Sequence, residues 1–311
     1  MQPTPSNRLL QGYLLGLLGV SIFALTLPFT RIAVQEMSPL FLSIGRTVAA
    51  AAVAGPLLLL TRQKWPSLRD FGTLTIVAAG VVLGFPVLSA MAMTMVPASH
   101  GGVVLGALPL ATAIMSTVFA GERPSAAFWF WAVAGSGAVV AFAVWEGGLS
   151  FHAGDMLLVL AAASAGMGYA AGGNLSRTLG GWQVICWALL VALPVTLPVT
   201  LIAAKGLTGH ESGTAWACFA YLALMSQLAG FFAWNRGLAL GGVAKVGQVQ
   251  LLQTFLTLGA SWVILGERLN AGMFICAFFV GLCIWFSRKA QVTSNQQALP
   301  TPASPAIRRA S

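Results

Sequence analysis

The sequence predicts an all-α polytopic membrane protein with ten transmembrane helices, arranged as two inverted five-helix repeats. Three observations carry that prediction. The 311 residues are 58% hydrophobic and 7% charged, with a mean hydropathy of +0.85, whereas a soluble domain carries about 25% charge. Apolar runs long enough to cross a bilayer, which takes about 20 residues, recur along the whole chain. The tripeptide Gly-Glu-Arg stands at 121–123 and again at 266–268, an offset of 145 residues, and each copy is followed by one last apolar run, as in a duplicated unit.

Polar breaks cut the chain into spans at about 9–30, 39–60, 71–94, 98–120, 125–145, 154–175, 182–204, 214–235, 242–264 and 270–287. The first run, behind a lone Arg8, has the look of a secretory signal; nine comparable runs follow it, so it is read as a span. Gly121-Glu122-Arg123 closes the fourth span, Gly154-Asp155 opens the sixth, and Gly266-Glu267-Arg268 closes the ninth. The expected units are therefore residues 1–147 and 148–289. The tail, 290–311, is rich in Pro, Ser, Gln and Ala and too poor in apolar residues to pack, so it is expected to be disordered.

Five spans per unit is an odd number, so the second copy enters the membrane upside down. The basic residues agree. With the N-terminus in the cytoplasm, cytoplasmic segments hold Arg8, Arg62, Lys64, Arg69, Arg123, Arg177, Arg236, Arg288, Lys289, Arg308 and Arg309, while outer segments hold Arg31, Lys205 and Arg268. Eleven against three satisfies the positive-inside rule and puts both termini in the cytoplasm. The net charge of +9 is scattered between apolar runs, which argues for orientation in the bilayer and against nucleic acid. The four cysteines, Cys186, Cys218, Cys276 and Cys283, lie inside apolar segments without metal-type spacing and are read as small core hydrophobes.

The two Gly-Glu-Arg turns, Gly154-Asp155, Pro109 in the fourth span and Arg46 in the second together make the chain resemble the drug/metabolite transporter superfamily, in particular its EamA-type ten-helix members, over nearly its whole length up to Ser287. Ala233-Trp234-Asn235 with Gly237 is similar to the matching stretch of aromatic amino acid exporters in that superfamily. One departure is Gln253-Thr254 in the ninth span, where such proteins commonly carry a proline. The resemblance implies a plasma-membrane (inner-membrane) exporter of small organic solutes, with aromatic or neutral amino acids as the first substrate class and no cofactor. Sugar phosphates, nucleotide sugars, drug-like solutes and a non-transport scaffold stay open beside it.

Inverted repeats place a substrate near the bilayer midplane between the halves, so polar residues inside spans are the candidates. Under the 145-residue offset Thr112 matches Thr257 and Ser116 matches Ser261, and on the ninth span the same face continues through Gln253 and Gln250. Amides facing hydrocarbon cost several kcal/mol, so this face turns toward other helices or a wet cavity. His100 and Lys245 open the fourth and ninth spans and are candidates to attract a carboxylate, or simply interfacial side chains. Arg46 sits inside the second span and needs either protein carbonyls or a carboxylate as partner. Tyr169, Trp187 and Trp234 are candidates for an apolar pocket wall.

All seven acids, Glu36, Asp70, Glu122, Glu146, Asp155, Glu211 and Glu267, fall at or near span ends, so no midspan carboxylate offers itself as a proton carrier. Asp155 is read as a helix cap, and Glu122 and Glu267 as partners of nearby backbone or arginine. The chain holds no Gly-x-Ser-x-Gly elbow and no His-Glu-x-x-His pair, and an enzyme is not expected.

Overall fold

The computed structural model describes residues 5–147, 153–266 and 271–294. Eight helices in it are long and apolar enough to cross a membrane: α1 (Asn7–Ala33), α2 (Pro39–Leu60), α3 (Leu68–Ala92), α4 (Ala98–Phe119), α6 (Ala153–Leu175), α7 (Gly181–Gly206), α8 (Gly213–Gly241) and α9 (Val243–Leu265). Two further helices, α5 (Ala126–Gly147) and α10 (Ala271–Lys289), occupy the remaining expected positions, with shorter apolar stretches at Ala126–Phe142 and Phe278–Ser287.

Local chemistry sets the ends. Ser38 accepts from Phe41 N ahead of Pro39, Ser67 and Asp70 form a reciprocal capping box at the start of α3, and Ser212 accepts from Ala215 N to start α8. The glycine of each Gly-Glu-Arg copy has a positive φ, +62° at Gly121 and +70° at Gly266, and so turns the chain out of α4 and α9. The remainder of the second copy, Glu267-Arg268, lies outside the described residues. Residues Glu122–Pro124 form a strand, β1, paired antiparallel with β2 (Val292–Ser294). The start of the expected disordered tail is thus strapped to the first Gly-Glu-Arg turn through backbone hydrogen bonds, which need no apolar side chains. Residues 295–311 lie outside the described residues.

The packing pattern repeats. α1 packs on α8 as α3 packs on α6, and α4 packs on α6 as α1 packs on α9; α2 meets α7, and α5 meets α10. Exchanging the two halves maps this set of contacts onto itself. Equivalent helices α4 and α9 run in opposite directions: Glu122, just past the end of α4, bonds the start of α9, while Gly102 near the start of α4 faces Thr257 far along α9.

Small residues permit these approaches. Gly12 and Gly16 of α1 meet Gly237 and Gly241 of α8 backbone to backbone: a Cβ on Gly237 falls 2.8 Å from Gly12 O and 2.9 Å from Gly16 N. The outside of the bundle carries exposed Leu14, Leu59, Val118, Leu201, Val263 and Phe278, as a lipid-facing surface requires. Cys186, Cys218 and Cys283 are buried.

Two predictions follow from these contacts. Gly237→Ala should lower the melting temperature in detergent, with a cost of about 1–3 kcal/mol from forced helix separation; Gly55→Ala is the control, because its Cβ meets only Leu190 Cδ2, at an ordinary 3.7 Å. The second concerns the α1–α2 turn, where Glu36 accepts from Ser212 N at 2.5 Å and from Ser212 Oγ at 2.7 Å. Those donors, the backbone N–H first, hold the Glu36 carboxyl below its ordinary range. A depressed folded-state pKa means that the clamp is fully present above the ordinary carboxylate pKa and is lost as pH falls through the lowered value. Wild type should therefore lose melting temperature on acidification below about pH 4.5 more steeply than Glu36→Gln; parallel curves would remove the clamp.

Candidate functional site

Two of the spans depart from α-helical hydrogen bonding at the same repeat position. α3 is π-helical over Ala78–Gly84 and α8 over Tyr221–Ala229, and the offset of 145 carries 78–84 onto 223–229. A π segment shifts its carbonyls off the regular ladder, and such segments gather at functional sites. In α3 three successive carbonyls receive side chains from three other helices. Ser164 Oγ of α6 donates to Gly80 O at 3.0 Å, Gln227 Nε2 of α8 to Val81 O at 3.1 Å, and Thr47 Oγ1 of α2 to Val82 O at 3.1 Å.

These bonds frame a small cavity of about 10 Å³, lined by Phe23, Thr26, Arg46, Val81, Phe85, Tyr169, Ser226, Gln227, Phe231 and Gln253. One wall is aromatic. Phe23 packs on Phe231 at 5.0 Å and is stacked on Tyr169 at 6.3 Å, and Trp234 backs both, 5.3 Å from Tyr169 and 6.2 Å from Phe23. Thr26 and Ser226 hydroxyls close on each other at 2.8 Å.

Arg46 lines the same cavity and is only 3% exposed. Among the described residues it forms no ion pair, and its Nε has no hydrogen-bond acceptor. Gln253 reaches the same cavity and a second one of about 10 Å³, lined by Leu27, Gly102, Leu105, Leu108, Gln250, Gln253, Thr254 and Thr257. Its Oε1 is buried without a donor. The two spaces meet at this side chain.

The EamA-like transporter family matches residues 10–144 and again 152–288. The chain belongs to the EamA-like transporter family. It is 43% identical over 283 residues to the uncharacterized transporter YdeK of Bacillus subtilis (strain 168), covering 91% of this chain and 99% of that protein. It is 28% identical over 256 residues to a probable terminal-alkyne amino-acid exporter of Streptantibioticus cattleyicolor, covering 80% of this chain and 84% of the other. A solved crystal structure shares the fold with a TM-score of 0.71 at 17% identity, over 89% of this chain and 97% of the other.

Set in this EamA-like bundle, the residues singled out from sequence divide into three groups. Arg46, Tyr169 and Gln253 line the first cavity, and Gln250 and Thr257 line the second. Thr112 bonds Gln250, Oγ1 to Nε2 at 3.3 Å, and supports it from α4; Trp234 is fully buried behind the aromatic wall with its indole Nε1 unpartnered. Two residues stand apart. Trp187 packs 5.0 Å from Trp65, away from the aromatic cluster, and His100 Nε2 lies 2.6 Å from Asp155 Oδ1 at the starts of α4 and α6. Asp155, read as a cap, is thus a hydrogen-bond partner of His100. The matched hydroxyls serve the helices: Ser116 bonds Ala113 O and Thr257 bonds Ala24 O.

Phe23, Thr26, Phe85, Ser226, Gln227 and Phe231 were not anticipated. The adjacent pair Ser226-Gln227 was the available signal, a hydroxyl and an amide inside an apolar span. The search for polar positions matched between halves passes over it, because the offset sets these residues against Val81 and Val82.

At the far end of the EamA-like bundle Glu122, 3% exposed, accepts from Val243 N at 2.8 Å, Ala244 N at 2.7 Å and Arg177 at 3.2 Å. It caps α9 and ties it to the ends of α4 and α6, where a carboxylate also meets the positive helix terminus. Glu122→Ala strands two backbone donors and a guanidinium, so the expected loss is about 3 kcal/mol. Thermal unfolding in detergent should show this drop, with Glu122→Gln intermediate because it keeps one acceptor oxygen.

Proposed function

We propose that the protein exports small organic solutes across the plasma (inner) membrane by alternating access, with aromatic or neutral amino acids as the leading substrate class. The carrying observation is Arg46: a buried guanidinium without an ion-pair partner among the described residues, lining a cavity with an aromatic wall. A carboxylate is the ligand that satisfies it, by paired N–H···O bonds. The aromatic wall takes an apolar side chain, and Gln227 and Gln253 line the same space as polar neighbours. The named relative that exports an amino acid supports the class at 28% identity.

In this reading ten helices cross the bilayer as two inverted five-helix repeats, residues 1–147 and 148–289, with both termini cytoplasmic. The antiparallel course of α4 and α9 and the self-mapping contacts support the inversion. The basic residues support the orientation. The cavity lies where helices of both halves converge, the position expected of a substrate site in such folds. Phosphorylated substrates rank lower, because they call for several cations on one phosphate and only Arg46 lines the cavity.

Proteoliposomes loaded with labelled amino acids test this directly. The wild type should release a neutral or aromatic amino acid. Gln253→Ala should slow that release about 3- to 10-fold, the worth of one hydrogen bond, with folded protein unchanged; Gln250→Ala should slow it in the same direction. Absence of flux for every amino acid sinks the substrate class, and wild-type flux in both variants removes the glutamines from the site.

A further inference from the structure

The charge of the cavity says more than its shape. Arg46 is a permanent cation, and the other polar side chains lining the same space, Thr26, Tyr169, Ser226, Gln227 and Gln253, are uncharged in their ordinary state. The described acids, Glu36, Asp70, Glu122, Asp155 and Glu211, are engaged elsewhere, at helix ends and loops: with Ser212, Ser67, the start of α9, His100 and Thr208 respectively. Among the described residues the cavity therefore carries one positive charge with no counter-ion. A buried charge without a partner is costly, and one anion removes that cost.

We infer that the site is built for a ligand of net charge −1: an amino-acid-like monocarboxylate with an apolar side group, whose nitrogen is acylated, absent or otherwise uncharged. This rests on the transport reading of the same cavity. A zwitterion satisfies Arg46 with its carboxylate but brings an ammonium into a low-dielectric space that offers it only neutral oxygens, so the occupied cavity stays at +1. A monoanion leaves the occupied cavity neutral. An amide or ester lacks the group that Arg46 requires.

The same arithmetic assigns the step that senses voltage. With a monoanion bound, reorientation of the occupied site moves no net charge; return of the vacated site moves the Arg46 charge back toward the cell interior. An inside-negative potential favours that return, so it drives export without a coupled proton, and no midspan carboxylate is needed. For a single charge the outward accumulation ratio changes about tenfold per ~60 mV. A zwitterion carried on the same site transfers no net charge per cycle and gains nothing from the potential.

Three matched probes test the inference on the full-length protein in liposomes, with protein-free vesicles as blank: N-acetyl-L-phenylalanine, L-phenylalanine and L-phenylalaninamide. A potassium gradient with valinomycin sets the potential. Expected are efflux of the acetylated probe that exceeds phenylalanine by tenfold or more, acceleration of that efflux by an inside-negative potential, a phenylalanine accumulation ratio indifferent to it, and no protein-dependent flux or thermal stabilisation with the amide. Arg46→Gln should abolish flux of the acetylated probe and Arg46→Lys should restore part of it. Phenylalanine moving as fast as its acetylated form, or acetylated efflux blind to the potential, overturns the charge assignment and leaves the transporter reading standing. Absence of protein-dependent flux for all three overturns both. The probe comparison needs only the wild type, so it decides the question even if the Arg46→Gln protein does not fold.

Discussion

Three carbonyls in the middle of α3 hold the centre of this molecule together. In the π segment at Ala78–Gly84, where Gly80 O also accepts from Phe85 N, α6, α8 and α2 each send a polar side chain to one of Gly80 O, Val81 O and Val82 O. Inside an apolar bundle the donors Ser164, Gln227 and Thr47 have no water to turn to, and leaving one of these bonds unmade is costly. The requirement thus fixes the relative depth of four helices with side-chain bonds that have one acceptable register. It also fixes the cavity, because Gln227 lines it and Arg46 sits one residue before Thr47 on the same turn of α2. A packed apolar interface would have set the spacing of these helices but not their register.

The duplication and the site obey opposite rules. Features that the two halves share are structural: the π segments and the glycine turns at 121 and 266. Residues that line the cavity are the ones where the halves differ. Arg46 corresponds to Val191, Tyr169 to Ala24, Gln227 to Val82, and Gln253 to Leu108. In the proposed inverted arrangement a cavity between the halves would otherwise be lined twice by the same groups, and a second buried guanidinium would repel the first. Divergence of the equivalent position to valine leaves one cation and one aromatic wall, which gives a ligand a single orientation.

This contrast explains what could be read from the sequence. Element positions were legible because hydropathy reports the bilayer thickness, and the duplication was legible because the Gly-Glu-Arg turn needs a positive φ that glycine supplies. Arg46 and Gln253 stood out as polar groups within apolar runs. Gln227 and Ser226 did not, since a comparison of repeats finds likeness and these residues are departures. Phe23, Phe85 and Phe231 were invisible for a different reason: in a chain that is 10% aromatic, a pocket phenylalanine has no local mark that separates it from a lipid-facing one. The strand at Val292–Ser294 was missed because a backbone pairing with Glu122–Pro124 leaves no trace in the composition of the tail.

The ties between helices also limit how the molecule can move. α4 and α6 are joined at both ends, by His100 with Asp155 at one and by Arg177 with Glu122 and Asn174 with Phe119 O at the other. They come from different halves, so the unit that stays rigid is a pair of helices across the repeat boundary and not a repeat. α9 is bound to that pair by Glu122 at its start and by the Thr112–Gln250 contact further along, and to α1 by Thr257. Opening the Glu122 end of the cavity, the cytoplasmic end in the proposed orientation, has to separate α9 from α4 and so has to break the carboxylate bonds to Val243 N and Ala244 N. A ligand can shift that balance only by binding the two arrangements differently. Gln253, on α9 and at the junction of both cavities, is the side chain through which a ligand on Arg46 would act on the helix that Glu122 holds.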